Sequence, residues 1–176
     1  MGQDTSSNAS RAVAVEANAA RMDKRFPLLR FLAGRLVAFL AAVGAAYVLA
    51  ALTATWSVVG RLEGMGVSVP LTDRAAMSLQ DLGGMAGSFL PLVALGLLIA
   101  LLCAALLARW LPRWRGPLYF LAGAAALTCV HLLMNLALGI TPVAIARTGV
   151  GLAVQAAAGG AGGLAYLGLA RRFAAE

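Results

Sequence analysis

Four apolar runs, at about 36–59, 87–108, 118–140 and 142–170, dominate the sequence, and polar residues gather between them. Each run has about 20 residues or more, which is what a helix rising 1.5 Å per residue needs to cross roughly 30 Å of hydrocarbon. The pattern predicts an all-α polytopic membrane protein, a four-transmembrane-helix antiparallel bundle. Residues 1–33 are of another kind, rich in Ser, Asn, Ala and scattered charge. They read as a flexible basic cytoplasmic tail, with a thin Ala-rich helix between Arg11 and Met22, ahead of a four-helix transmembrane domain over 34–176. A basic stretch before an apolar run also describes a secretory signal. However, a signal core is only about 7–15 residues, so the longer first run is expected to be retained as an anchor. The opening Met1-Gly2-Gln3-Asp4-Thr5-Ser6 fits an acylation pattern that is too short to carry weight.

Turn chemistry supports these boundaries. In the 60–85 loop, Thr72 is the expected cap of a short helix from Asp73 to Leu82, ended by Gly83-Gly84. Ala75, Ala76, Met77, Leu79 and Leu82 would let that helix lie on the outer membrane surface. Arg109-Trp110-Leu111-Pro112-Arg113-Trp114-Arg115-Gly116-Pro117 is a tight turn whose tryptophans suit the headgroup level. Pro117 suits the first turn of the third span, where its missing N–H is not needed. Thr141 is the expected cap of the fourth span, with Pro142 following.

Composition sharpens the picture. The chain is 61% apolar and 12% charged, whereas a soluble domain has about 45–50% apolar and about 25% charged residues. A net charge of +7 would suit nucleic-acid binding, but the charges flank the apolar runs, so nucleic acid is not an expected partner. Eleven of the fourteen Lys and Arg residues fall in the N-terminal segment, the 109–117 turn and the C-terminal tail. The positive-inside rule then places both termini in the cytoplasm, as an even number of spans requires. Lys24 is the only lysine, and Ala, Gly and Leu dominate. That bias suggests a GC-rich bacterial genome and a bacterial inner (plasma) membrane.

Polar groups within a membrane are costly and often mark function. Counted from the cytoplasmic ends at 1.5 Å per residue, Tyr47, His131 and Gln155 fall at roughly 18, 20 and 22 Å. Asn135 and Thr128 share a helix face with His131. These five form a candidate mid-membrane polar cluster. It is read first as hydrogen-bonded glue between helices, and otherwise as a narrow path or pocket for a small polar solute or lipid headgroup. A haem held between two copies of His131 is the remotest reading. Gly151, Gly159 and Gly163 make a helix-packing stripe with Gln155, for contacts within the bundle or, alternatively, for a homo-oligomer interface. Asp81 or Asp73 and Arg147 form a candidate outer ion pair. Cys103 and Cys129 read as small packing residues rather than a disulfide.

No serine–histidine or cysteine–histidine arrangement, metal-ligand cluster or phosphate loop is evident in the sequence, so no catalytic residue, metal or cofactor is expected. No Asp or Glu lies deep in a span, which argues against a proton-coupled transporter. The expected function is a non-enzymatic scaffold or accessory subunit of a membrane assembly. The alternative is an oligomeric channel or a solute- or lipid-binding protein using the polar cluster. Membrane lipids and a homo-oligomer or larger membrane complex are the expected partners. The runs Val69-Pro70-Leu71-Thr72-Asp73-Arg74, Gln80-Asp81-Leu82-Gly83-Gly84-Met85 and Ala146-Arg147-Thr148-Gly149 resemble a group of small four-helix proteobacterial membrane proteins of unknown function. The likeness covers roughly residues 34–170. It implies a bacterial inner-membrane location and no activity.

Overall fold

The computed structural model describes residues 15–16, 26–139 and 143–175. Five α-helices of more than one turn follow in order: α1 (Phe26–Gly64), α2 (Leu71–Ala86), α3 (Phe89–Trp110), α4 (Arg115–Leu138) and α5 (Gly149–Ala175). Single 3-10 turns, Pro112–Trp114 and Ala144–Arg147, lead into α4 and α5. Among the described residues α1, α3, α4 and α5 are long and apolar enough to cross a membrane. The all-α, four-span expectation therefore holds.

The last helix in sequence is central in space. α5 packs against both α1 and α4, and α4 in turn packs against α3. Glycine makes this possible. A Cβ at Gly159 would overlap the Gly123 carbonyl of α4, and one at Gly163 would overlap the Tyr119 carbonyl. On its other side, a Cβ at Gly162 would lie 2.9 Å from the Ala42 carbonyl of α1. Without a hydrophobic driving force between helices in lipid, close backbone approach and its van der Waals contacts hold such pairs together. Gly159 and Gly163 are thus occupied within the chain. Gly151 is too, since a Cβ there would overlap the Ile145 carbonyl. This places the predicted stripe inside the bundle and leaves it unavailable as an oligomer surface.

α3 meets the bundle differently. Phe89, Val93, Leu97, Leu101, Ala104 and Ala108 recur every three or four residues and are buried. Leu95, Leu98, Ile99, Leu102 and Leu106 are exposed. A helix apolar on all sides but buried on one suits a hydrocarbon surround. Cys103 and Cys129 are also exposed, not packed as expected, and both are free thiols.

Three element boundaries differ from those read in the sequence. First, α1 has 39 residues, beginning at Phe26 within the stretch read as a tail and continuing beyond Val59. The described part of the Arg11 to Met22 segment is limited to helical residues 15 and 16. Second, α2 starts after Pro70, whose carbonyl accepts the Asp73 and Arg74 N–H groups at 3.1 Å each. Thr72 is inside this helix and is not its cap. Gly83 and Gly84 do not stop α2, because neither adopts a positive φ; among the described glycines only Gly66 and Gly139 do. α2 therefore reaches Ala86, and α3 starts after only Gly87 and Ser88.

The third difference concerns the fourth span. Its helix begins at Gly149, not at 142, while Thr141 and Pro142 lie outside the described residues. Thr148 is extended, and its Oγ1 accepts the Gly151 N–H at 3.1 Å. That is an N-cap, which fixes the helix start. Arg147 consequently occupies the preceding 3-10 turn.

Candidate functional site: a buried polar junction

Gln155 is fully buried in the first half of α5, and every polar atom of its side chain is used. Its Nε2 donates to the Ala50 carbonyl at 2.9 Å and to Thr53 Oγ1 at 3.2 Å, both on α1. Its Oε1 lies 3.4 Å from His131 Nε2 on α4. An amide oxygen only accepts, so Nε2 of the imidazole carries the proton in this contact. Thr53 Oγ1 itself donates to the Leu49 and Ala50 carbonyls, at 2.8 and 3.0 Å. One side chain on the central helix thereby ties α1 to α4.

His131 is 2% exposed. Its ring lies 5.5 Å from the Phe89 ring, which lies 6.2 Å from the Tyr47 ring. The Tyr47 hydroxyl points elsewhere and donates to the Leu82 carbonyl of α2. The five predicted cluster residues therefore separate. His131 and Gln155 meet directly, and Tyr47 joins them only through Phe89. Thr128 Oγ1 returns to the Ala124 carbonyl of its own helix at 2.9 Å. Asn135 is exposed. Polar groups of three helices do converge, but Thr53 and the Ala50 carbonyl supply the α1 contribution instead of Tyr47.

Sequence reasoning missed Phe89, Thr53 and Thr55. Hydroxyls within an apolar run were the available signal for the threonines. For Phe89, an aromatic at the start of a span, there was none. Thr55 Oγ1 donates to Asp81 Oδ2 at 2.7 Å. The partner seen for Asp81 is thus a threonine of α1, while the candidate pairing joined it to Arg147. Arg74 pairs with Glu63, and its Nε donates to the Val69 carbonyl at 3.0 Å. Together the Tyr47–Leu82, Thr55–Asp81 and Glu63–Arg74 contacts run in reverse order along the two helices. α2 therefore runs back along the second half of α1 instead of lying across the end of the bundle.

Chemically the junction is a clamp. Its amide is saturated and its imidazole is enclosed by Phe89 and Gln155. His131 Nε2 is engaged by Gln155, while Nδ1 is buried with no hydrogen-bond partner among the described residues. Among the described residues no group of three or more His, Cys, Asp or Glu is placed to hold a metal ion. Comparison with protein-family models, with curated proteins and with solved structures finds no match in any of the three.

Proposed function

We propose that the protein is a non-enzymatic integral membrane protein, a scaffold or accessory subunit of a larger assembly in the bacterial inner membrane, with both termini cytoplasmic. The observation that carries this reading is the fate of the buried polar groups. Gln155 is spent on helix–helix hydrogen bonds, and Thr55 and Tyr47 hold α2. The side-chain polar atoms of Gln155, Thr55 and Tyr47 thus serve the packing, and of the His131 ring only Nδ1 is left without a hydrogen-bond partner among the described residues. The charge distribution supports the orientation, since the excess of Arg lies at the ends read as cytoplasmic. Exposed leucines along α3 offer a face for another apolar helix or for lipid.

Co-purification from native membranes in mild detergent tests the reading. A stoichiometric protein partner is expected, and a chain that always purifies alone would refute the accessory role. The channel alternative draws only on the level shared by His131 and Gln155. Flux through liposomes containing the wild type, abolished by His131→Ala with Gln155→Ala, would favour it. The saturated amide of Gln155 leads us to expect no flux.

A further inference from the structure

Four arginines far apart in sequence meet at one end of the bundle. Arg35 of α1, Arg109 at the end of α3, Arg115 at the start of α4 and Arg171 of α5 line one concavity of about 290 Å³. Tyr119 and Tyr166 line it too, their rings stacked 5.7 Å apart. This volume is near the lower end of small-ligand pockets, roughly 300 Å³.

No carboxylate of α1 to α5 lies at this end of the bundle. Between residues 26 and 175 the only carboxylates are Glu63, Asp73 and Asp81. Glu63 lies about 42 Å along α1 from Arg35, at 1.5 Å per residue, and it already pairs with Arg74. Asp73 and Asp81 belong to α2, which runs beside that same far half of α1. A topology signal requires only that basic residues lie on one side, not that they converge. Arg113 illustrates the difference: it shares the turn with Arg109 and Arg115 but does not line the concavity.

We propose that this concavity binds a phosphate group presented by the headgroup of an anionic phospholipid. Guanidinium groups match phosphate oxygens in fork-like pairs, and four from different helices can surround one headgroup. Basic pockets between helices at a membrane face are suited to such headgroups. The apolar flanks favour a lipid over a soluble phosphate. Leu106 and Leu107 precede Arg109 on α3, and Leu36 and Val37 follow Arg35 on α1; all four are more than half exposed. Acyl chains can lie on those surfaces while the headgroup meets the arginines. The proposal deepens the scaffold reading by naming a partner class. It requires only the membrane-embedded bundle, so failure to find a protein partner would leave it standing.

Native mass spectrometry of the full chain in detergent tests the site with phosphatidylglycerol, cardiolipin and phosphatidylcholine, each added alone. One anionic lipid should remain bound per chain and phosphatidylcholine should not; equal retention of all three would overturn the proposal. Arg109→Gln with Arg171→Gln should weaken phosphatidylglycerol binding about tenfold or more, the order expected for two guanidinium–headgroup attractions. Arg113→Gln should leave it unchanged, and equal loss in both variants would reduce the effect to general charge. Competition by millimolar inorganic phosphate separates the two sources of the group: displacement of the lipid would assign the site to a soluble phosphate. The preference among lipids is read on the wild type, so the test survives a variant that fails to fold.

Discussion

At the scale of single residues, Gln155 is the side chain on which most depends. Replacing it with Leu leaves His131 Nε2–H and the Ala50 carbonyl without this partner. A buried polar group left unsatisfied costs about 1–3 kcal/mol. Hydrogen bonds between helices in membranes are individually weaker, near 0.6 kcal/mol and up to about 1.7. Gln155→Leu should therefore lower stability by about 2 kcal/mol in reversible unfolding from mixed micelles. A change below about 0.5 kcal/mol would mean the junction is ornamental. Within it, the 3.4 Å His131 contact is the longest of the three, so a double-mutant cycle should find weaker coupling from Gln155 to His131 than to Thr53. Both His131 and Gln155 were legible as polar residues in apolar runs. Their neighbours were not, because counting along a helix gives depth and not azimuth. Asn135 follows His131 by four residues, which is about 40° round the helix, and it is exposed. On α1, the real contacts at Ala50 and Thr53 lie roughly 4 to 9 Å beyond Tyr47 along the axis.

At the scale of elements, the α4–α5 pair is set by backbone contact and the docking of α2 by two hydroxyls. Gly159→Leu should separate α4 from α5, since even a Cβ would overlap the Gly123 carbonyl. Overpacking a tight interior costs about 1–3 kcal/mol or more. Gly168→Ala, where a Cβ meets nothing within 4 Å, should be neutral or stabilise the helix by up to about 1 kcal/mol. Comparable loss of thermal stability in the two variants would discard the close-approach account. The stripe on α5 was visible as a four-residue repeat, but its partner Gly123 shares its run only with Gly139 at the far end and gave no periodic signal. α2 presents the converse case. Its existence was readable from turn chemistry and apolar spacing, yet its direction was not, because the hydrogen bonds that fix it reach into α1. Asp81→Ala removes the acceptor of Thr55. It should raise hydrogen exchange in α2 while α4 and α5 remain protected. Exchange rising equally in all helices would show that α2 is integral to the fold rather than docked upon it.

At the scale of the whole molecule, orientation links the helices to function. The number of spans followed from hydropathy alone, because every long apolar run must be buried in lipid or protein. The neighbour order did not, since it depends on which helix can approach others most closely, and that is the glycine-rich last one. The two ends of the bundle are also chemically unlike. Arg35, Arg109, Arg115 and Arg171 gather at one, and Glu63, Asp73 and Asp81 belong to the other. If the arginine end faces the cytoplasm, a cysteine placed at Gly66 should react with an impermeant maleimide added to intact cells, and one placed at Arg113 should not. The native Cys103 and Cys129 must first be replaced by Ser. Both are exposed on helix surfaces, and substitutions away from packed contacts usually stay within about 0.5 kcal/mol. Labelling at Arg113 in intact cells would invert the molecule. An inverted bundle would turn the arginine concavity away from the cytoplasmic leaflet, whose anionic lipids attract basic groups most strongly. The labelling pattern thus bears on the leaflet that supplies the lipid as well as on the direction of the chain.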